Sequence, residues 1–316
     1  MSKLKLYLIL VLVMFVWGMN IPAVKYLTEQ MGIVTMTSLR IFMAGVVVFI
    51  LLFFMRLIRM PTATEWKYIL GGTLLNVVIH HYFIAMGLSL TSGTNGGLII
   101  GTGPIMTAIF GLLLIRLRPS RLQWLGFFLG FLGITATILA GNSGATQVSV
   151  GDFYILLSIL SQALSFLLIS KAARTLDPRL LTAYMLLLGS FGLFSISLLL
   201  EPGEWRRFGE MDSTFWLLII GSGIMATAIG HMIYNYSVGR IGPSKAAIFM
   251  NLSTVFAILG SALFLGEIIT INHLLGLVFV VCGVVLGSGA AEELWKNRQK
   301  ANNDVAKGGD SRGEKL

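Results

Sequence analysis

The sequence predicts an all-α polytopic membrane protein with ten transmembrane helices, arranged as two inverted five-helix repeats. Three observations lead to this prediction: the composition, a set of ten long apolar segments, and a repeat within the chain. The 316 residues are 56% hydrophobic and only 12% charged, and the mean hydropathy is +0.85. Such a chain has too little polar surface for a soluble globule. Because the apolar stretches lack the alternation of membrane β-strands, we expect helices throughout.

Ten apolar segments are long enough to cross a hydrocarbon core of about 30 Å, which takes roughly 20 helical residues. The first follows Lys3 and Lys5 and resembles a signal peptide. It is long, contains Trp17 and Asn20, and lacks a small-residue cleavage site, so we expect it to be retained. The predicted spans are residues 6–26, 34–54, 68–86, 93–115, 122–140, 153–170, 182–200, 215–236, 246–265 and 274–290.

The two halves of the chain align with each other. Residues 71–140 and 221–290 superpose at a constant offset of 150 without a gap, and each block holds three spans. Because each half has five spans, an odd number, the second half must enter the membrane from the opposite side. Identities are sparse, so the matched span boundaries carry the argument. The identical pairs include Gly71 and Gly221, Ile79 and Ile229, His81 and His231, Gly126 and Gly276, Gly133 and Gly283, and Ala140 and Ala290.

The domain boundaries follow from this alignment. We place the first repeat at residues 1–145 and the second at residues 146–292, with the Gly-, Ser- and Thr-rich segment 141–152 as the junction. Residues 293–316 are polar and have no apolar period, which predicts a disordered cytoplasmic tail. The longest external loop, residues 201–213, is expected only to solvate the link between the seventh and eighth spans.

The positions of lysine and arginine predict the orientation. With a cytoplasmic N-terminus, 19 of the 23 basic residues lie in cytoplasmic segments; Lys25, Arg206 and Arg207 lie outside and Arg40 within a span. This bias places both termini in the cytoplasm of a plasma membrane of bacterial type. The net charge of +9 is therefore a topology signal. It is spread over short loops and forms no single patch, so we expect no nucleic-acid partner.

The sequence contains no catalytic constellation, so we expect no enzyme, cofactor or metal. Walker A and dinucleotide motifs are absent, and none of the 14 carboxylates lies well within a span. His80 and His81 are adjacent and should point to different helix faces about 100° apart, which argues against a metal site. The single cysteine, Cys282, excludes an internal disulfide. An intramembrane enzyme, such as a serine–histidine protease, or a lipid-handling membrane protein is the alternative to a transporter.

Polar side chains within the spans favour transport. They recur at helical spacing and at similar depth, so they could line one central cavity near the midplane. For each of them a structural role remains open, because serine and threonine bond to their own helix and amides join neighbouring helices. Trp17 is either a stacking wall or a packing residue. The predicted substrate-binding residues are Trp17, Asn20, Asn76, Gln162, Thr227, His231, Asn251 and Thr254.

Further residues are candidates for gating and coupling. Pro104 lacks a backbone donor and predicts a helix break, which either binds solute or is a passive kink. Lys25, Arg40 and Glu267 share one depth and carry opposite charges, which predicts an outer ion-pair gate. The alternative is that Lys25 snorkels to headgroups and Glu267 caps a loop.

Three histidines within the spans, His80, His81 and His231, are candidates for a proton relay, because imidazole titrates near neutral pH. Facilitated efflux or exchange would need no relay. The GxxxG faces at Gly126 and Gly283 predict close helix packing within the chain or a homodimer.

Four segments resemble the EamA domain transporters of the drug/metabolite transporter superfamily. The resemblance covers about residues 6–290 and implies ten helices, two inverted repeats and both termini inside. It also implies export or exchange of small metabolites, often amino acids or related compounds. The segments are WGMNIPAVK at 17–25, SLRIFMAG at 38–45, RLRPSRLQWLG at 116–126 after the Pro104 helix, and NLSTVFAILGSALFLGE at 251–267.

The chain departs from the pattern of that family at three positions. Leu117 stands where an acid matching Glu267 is usual, and Thr254 stands where a proline matching Pro104 is common. Gln162 stands where the sixth span often has an aromatic residue. These departures leave the substrate unspecified, and the sequence also leaves open the transport direction, the coupling and the oligomeric state.

Overall fold

The computed structural model describes residues 3–90, 99–141, 149–265 and 271–289, and every element in these ranges is helical. The predicted tail (293–316), most of the junction, and Glu267 lie outside the described residues. The elements are α1 (Lys3–Gln30), α2 (Ile33–Phe54), α3 (Ala63–Gly72), the π-helix π1 (Thr73–Ile79), α4 (His80–Leu90), α5 (Gly103–Ile115), α6 (Arg121–Gly141), α7 (Val150–Ala172), α8 (Pro178–Leu200), a 3₁₀ helix (Glu204–Glu210), α9 (Ser213–Gly221), the π-helix π2 (Ser222–Gly230), α10 (His231–Ile241), α11 (Pro243–Ala247), α12 (Met250–Leu265) and α13 (Ile271–Gly287).

Helices occupy all ten predicted positions. Within the described ranges, five helical spans are long and apolar enough to cross a membrane, at Ile33–Phe54, Ala63–Gly87, Val150–Ala172, Pro178–Leu200 and Ser213–Ile241. Shorter apolar helices lie at Leu4–Asn20, Ile99–Ile115 and Leu274–Gly287. The all-helical, ten-span membrane fold is therefore confirmed. The third and eighth spans are each composite, since a π-helix joins α3 to α4 and α9 to α10.

Capping residues set the start of two spans earlier than predicted. The third span begins at Ala63 because the Thr62 side chain accepts a hydrogen bond from the Glu65 N–H, while the Glu65 carboxylate accepts one from the Thr62 N–H. Ser149 and Asp152 form the same reciprocal capping box before α7. Such boxes satisfy N–H groups that have no partner within the helix. The prediction was late here because hydropathy alone misses a polar first turn.

The packing of the helices has the symmetry of an internal repeat. α2 packs on its counterpart α8, and α6 packs on its counterpart α13. α1 packs on α12, and the equivalent pair, α7 on α5, is also present. The pairing of α4 with α7 is mirrored by the pairing of α1 with π2 and α10. A pseudo-two-fold relation between five-helix halves gives this pattern.

The crossing of α6 and α13 depends on glycine. A Cβ atom built on Gly283 would lie 2.5 Å from the backbone nitrogen of Gly130 and 2.8 Å from the carbonyl oxygen of Gly126. These distances leave no room for a side chain, so the two backbones are in direct contact. The GxxxG faces are thus used for packing within the chain, which was one of the two predicted alternatives.

The loop between α8 and α9 caps the N-terminus of α2, a role that the sequence analysis missed. The Glu201 carboxylate accepts hydrogen bonds from the Val34 N–H at 3.0 Å and the Thr35 N–H at 2.8 Å. The Glu204 carboxylate accepts one from the Gly32 N–H at 2.8 Å. Carboxylates at a helix N-terminus satisfy free donors and complement the helix dipole. The loop therefore ties one repeat to the other and does more than solvate a link.

Removing the charge of Glu204 is expected to destabilise the protein at neutral pH only. The N–H of Gly32 holds the pKa of this carboxyl below its usual value. Its contribution is therefore full above the unfolded-state pKa of about 4.3 and is lost as the pH falls through the folded-state pKa. We expect Glu204→Gln to lower the free energy of unfolding by about 1 kcal/mol at pH 7, with the difference from wild type shrinking below about pH 4.

Thermal unfolding in detergent between pH 7 and pH 3 measures this difference. Glu210→Gln is the matched control, because Glu210 lies on the same loop and is exposed. An equal loss for Glu204→Gln at both ends of the pH range would show that the charge of this carboxylate does not contribute.

Candidate functional site

A cavity of about 220 Å³ lies between the two repeats. Both halves contribute polar side chains to its wall, and apolar side chains complete it. Five of the eight predicted binding residues are among these, together with His80, His81 and Arg40. The lining residues are Trp17, Asn20, Arg40, His80, His81, Ile84, Ile100, Ile159, Gln162, Ala226, Thr227, His231 and Met250.

The two π-helices occupy equivalent positions in the two repeats, and π2 contributes Ala226 and Thr227 to the cavity wall. π1 covers Thr73–Ile79 and π2 covers Ser222–Gly230, so the segments overlap at the repeat offset of 150. Each is followed directly by a histidine of the cavity wall, His80 after π1 and His231 after π2. A π turn is wider than an α turn and is frequent at functional sites. Neither π-helix was predicted from the sequence. The histidines His81 and His231, which recur at the repeat offset, were the sequence signal closest to these two segments.

Trp17 is fixed in the cavity wall by contacts with the second repeat. Its indole Nε1 donates a hydrogen bond to the carbonyl oxygen of Ala226 at 2.8 Å. Its ring centroid lies 5.0 Å from that of His231 and 5.2 Å from that of Tyr234. A Cβ atom on Gly230 would lie 2.5 Å from the indole nitrogen. Gly230 is therefore required for the position of the ring. Trp17 packs against the second repeat and also forms part of the cavity wall.

His80 and Gln162 belong to one buried network. The Gln162 Nε2 atom lies 2.9 Å from His80 Nε2, and the Ser158 Oγ atom lies 2.7 Å from His80 Nδ1. With the amide in this orientation, Gln162 donates to Nε2 and His80 Nδ1 donates to Ser158 Oγ. The Ser158 hydroxyl in turn donates to the backbone carbonyl of His80 at 2.9 Å. Both ring nitrogens of His80 are thus satisfied by protein groups.

His81 and His231 are not bonded to side chains of α7 as His80 is. His231 Nδ1 donates to the carbonyl oxygen of Thr227 at 3.1 Å, which leaves Nε2 as an acceptor. The Nε2 atom of His81 is buried without a hydrogen-bond partner. The ring centroids of His81 and His231 are 5.9 Å apart, and those of His80 and His81 are 4.9 Å apart.

His80 and His81 contact different helices, as expected for neighbours on a helix, and both nevertheless line the cavity. His80 bonds to Ser158 and Gln162 of α7, whereas the ring of His81 lies beside that of His231 on α10. Across the described ranges, no group of three or more histidine, cysteine or acidic side chains is arranged to hold a metal ion.

Arg40 projects from α2 into the cavity. Its Nη1 atom donates a long hydrogen bond of 3.4 Å to Ser222 Oγ, and its Nε atom is buried without a partner. No acidic side chain is among the cavity-lining residues of the described chain. The predicted gate with Glu267 and Lys25 stays a prediction, since Glu267 and the Lys25 side chain lie outside the described part of the structure.

Three predicted binding residues lie away from the cavity wall. Asn76 is buried and donates from Nδ2 to Ser165 Oγ at 2.7 Å, which joins π1 to α7. Asn251 is buried against Gly130 of α6, and Thr254 is partly buried on α12. Asn76 therefore fits the structural alternative, an amide that joins neighbouring helices. The buried Nδ2 atom of Asn251 has no hydrogen-bond partner within the described part of the chain.

Pro104 is also absent from the cavity wall. It is buried at the start of α5, and the helical residues 99–101 are separated from α5 by a turn at Thr102. The Thr102 hydroxyl and N–H both donate to the carbonyl oxygen of Ile99, at 2.6 and 3.0 Å. Because proline fits the first turn of a helix, Pro104 restarts the helix after this interruption.

Two pseudo-symmetric helical halves that enclose a polar cavity within the membrane are the architecture of a transporter. The profile described as the EamA-like transporter family matches residues 4–139 and residues 149–289. The chain belongs to this family, and it is a multi-pass membrane protein of the transporter type.

Individual relatives agree with this assignment. The chain is 25% identical over 294 residues to the uncharacterized transporter YyaM of Bacillus subtilis, covering 92% of this chain and 95% of the relative. It is 26% identical over 280 residues to an uncharacterized transporter of Archaeoglobus fulgidus, covering 88% and 84%. A protein of known crystal structure matches 90% of this chain and 97% of its own length with a TM-score of 0.76 at 16% identity, which supports the fold.

Proposed function

We propose that this protein is a secondary transporter that moves a small organic metabolite across the plasma membrane by alternating access, as efflux or exchange. The observation that carries this proposal is the cavity between the repeats, to which both halves contribute polar side chains. The cavity, of about 220 Å³, has room for several water molecules, which is consistent with a small solute such as an amino acid or a related compound.

The alternating movement follows from the repeat. In an inverted repeat, each half can adopt the conformation of the other, which opens the shared cavity first to one side and then to the other. Trp17 and Asn20 form its wall from the first half, and Thr227 and His231 do so from the second. Rocking of the halves would therefore change the surroundings of a bound solute without moving the site itself.

For energy coupling, the proposal assigns a proton route to His81 and His231. The Nε2 atom of His81 has no hydrogen-bond partner among the described residues, His231 is bonded through Nδ1 to a backbone carbonyl, and the two rings are neighbours in the cavity. His80 is less suited, because its two nitrogens are already bonded to Ser158 and Gln162. Imidazole is the side chain whose charge changes near physiological pH.

The rival proposal is an intramembrane enzyme or a lipid-handling protein. Ser158 and His80 form the serine–histidine contact that such an enzyme would need. However, Ser158 is fully buried, is not part of the cavity wall, and donates its proton to the His80 carbonyl. A nucleophile in this position has no access to a substrate, which favours transport over hydrolysis.

Counterflow in proteoliposomes with a panel of labelled metabolites tests the proposal. We expect accumulation of at least one metabolite, and we expect Asn20→Ala to lower its kcat/KM about tenfold, equivalent to about 1.4 kcal/mol. The matched pair Thr227→Val and Thr214→Val separates the cavity from the surface, because Thr214 is exposed at the start of α9. Only the Thr227 variant should lose transport.

The same proteoliposomes test whether transport is coupled to proton movement. A pH gradient should drive net flux in the wild type, and His231→Gln should abolish the gradient dependence while leaving counterflow measurable. Flux that ignores the gradient would remove the proton route and leave facilitated exchange. Turnover of a compound without vectorial movement would overturn the transport proposal in favour of the enzyme.

A further inference from the structure

Resting on the proposed transport function, we propose that the substrate is a small organic anion and that Arg40 binds its carboxylate. Arg40 is a cation in the wall of the cavity, with no acidic side chain beside it among the described lining residues. The other titratable side chains there are His80, His81 and His231, which can add positive charge and cannot supply negative charge. The cavity is therefore built with a positive charge that its protein wall leaves uncompensated.

Most of the N–H donors of Arg40 also lack a partner among the described residues. A guanidinium has five N–H donors and stays protonated in proteins. Within the described part of the chain, the side chain makes one hydrogen bond, of 3.4 Å to Ser222 Oγ, and the buried Nε has no partner. A carboxylate presents two oxygens with the spacing that this fork matches, so one bidentate pair would satisfy charge and donors together.

The position of Arg40 argues against a surface role. It is seven residues into α2 from Ile33, which is about 10 Å along the helix axis at 1.5 Å per residue. An arginine at a membrane interface would extend its charge toward headgroups, whereas this side chain lines the central cavity. An ionised side chain within a span that faces an internal cavity marks a substrate or ion pathway.

The rest of the wall fits an organic acid better than a zwitterion or an inorganic anion. Ile84, Ile100 and Ile159 present apolar surface for a carbon skeleton, and Asn20 and Thr227 offer neutral hydrogen-bonding groups. The described wall has no carboxylate to pair with an ammonium group, and Arg40 would repel one. Sulfate or phosphate would leave the apolar part of the cavity empty.

Thermal stabilisation of the detergent-purified full chain tests this inference without assuming transport. The probes are sodium salts of aliphatic, hydroxy, oxo and aromatic monocarboxylates, each paired with its neutral amide. Leucine and phenylalanine serve as zwitterions, and sodium phosphate and sulfate serve as inorganic anions. We expect one or more carboxylates to raise the unfolding temperature, with no effect from the matched amides.

Variants then assign the effect to Arg40. Arg40→Gln should weaken the binding of that carboxylate at least tenfold, and Arg40→Lys should retain part of it. Arg174→Gln, at an exposed arginine that is not part of the cavity wall, should bind as the wild type does. Asn20→Asp keeps the shape of the wall and adds a negative charge, so it should also weaken the binding of the carboxylate at least tenfold. This second variant tests the inference even if Arg40→Gln does not fold.

Each outcome decides the inference. Binding of neutral or zwitterionic compounds that is unchanged in Arg40→Gln would overturn it, as would binding of inorganic anions alone or a panel in which no carboxylate binds. A carboxylate that binds through Arg40 but shows no counterflow would leave the site in place and refute the proposed transport function. The two proposals can therefore fail separately.

Discussion

Replacing Trp17 with alanine is expected to lower counterflow about a hundredfold, the loss for about 2.7 kcal/mol of lost stabilisation. The indole forms part of the cavity wall and connects the first repeat to the second. It donates a hydrogen bond to the Ala226 carbonyl and packs against the rings of His231 and Tyr234. Truncation removes these contacts and leaves a void that the surrounding helices fill only in part. Initial counterflow rates in proteoliposomes measure the loss.

Gly230→Ala tests the same contact from the other side. The added methyl group would lie 2.5 Å from the indole nitrogen, so the ring must move although it is still present. We expect a loss of transport close to that of Trp17→Ala. Trp216→Ala is the control, because Trp216 lies outside the cavity wall. Normal transport by both Trp17→Ala and Gly230→Ala would show that this wall is not part of the transport pathway.

Gly283→Val is expected to destabilise the protein by about 3 kcal/mol, the upper range for overpacking a close contact. The side chain would meet the backbone of Gly130 and Gly126, and a backbone cannot move aside as a flexible side chain can. The crossing of α6 and α13 would have to separate, and with it the main contact between the fifth and tenth spans. Reversible unfolding in mixed micelles measures the change.

The control for this substitution is Gly221→Ala, because a Cβ atom at Gly221 meets nothing within 4 Å. It should leave the stability within about 0.5 kcal/mol of wild type. Wild-type stability of Gly283→Val would contradict the direct backbone contact between α6 and α13.

The ten helices could be predicted from the sequence because lipid imposes a length and an apolar composition on every span. The repeat could be predicted because its offset is constant from Gly71 to Ala290. The starts of α3 and α7 were missed, since Thr62 and Ser149 cap polar first turns that hydropathy ignores. The role of Glu201 and Glu204 was missed as well, because it depends on a contact between distant parts of the chain.

The site could be predicted only in part. Depth and helical spacing placed Trp17, Asn20, Gln162 and Thr227 near one another, and these residues do line the cavity. The same reasoning could not tell which side of a helix faces the cavity, and Asn76 bonds to Ser165 instead. The π turns change the direction of the residues that follow them, and no pattern used in the sequence analysis predicts them.

The place of Arg40 in the cavity wall could not be predicted for the same reason. The sequence shows its depth and charge, which suggested an ion pair with Glu267 at the outer end. Its surroundings depend on how α2 packs against π2, where the hydroxyl of Ser222 accepts a hydrogen bond from Arg40. Long-range packing of this kind has no local signal in the chain.

Accessibility of position 227 from the two sides of the membrane tests the central claim most directly. In a Cys282→Ser background, which removes the single native cysteine, the Thr227→Cys variant is reacted with an impermeant maleimide applied to one face or the other of proteoliposomes of known orientation. Alternating access predicts labelling from both faces, with the two rates shifting in opposite directions when the counterflow substrate is added. Labelling from one face only, or rates that do not respond to substrate, would contradict a cavity that opens alternately between the two repeats.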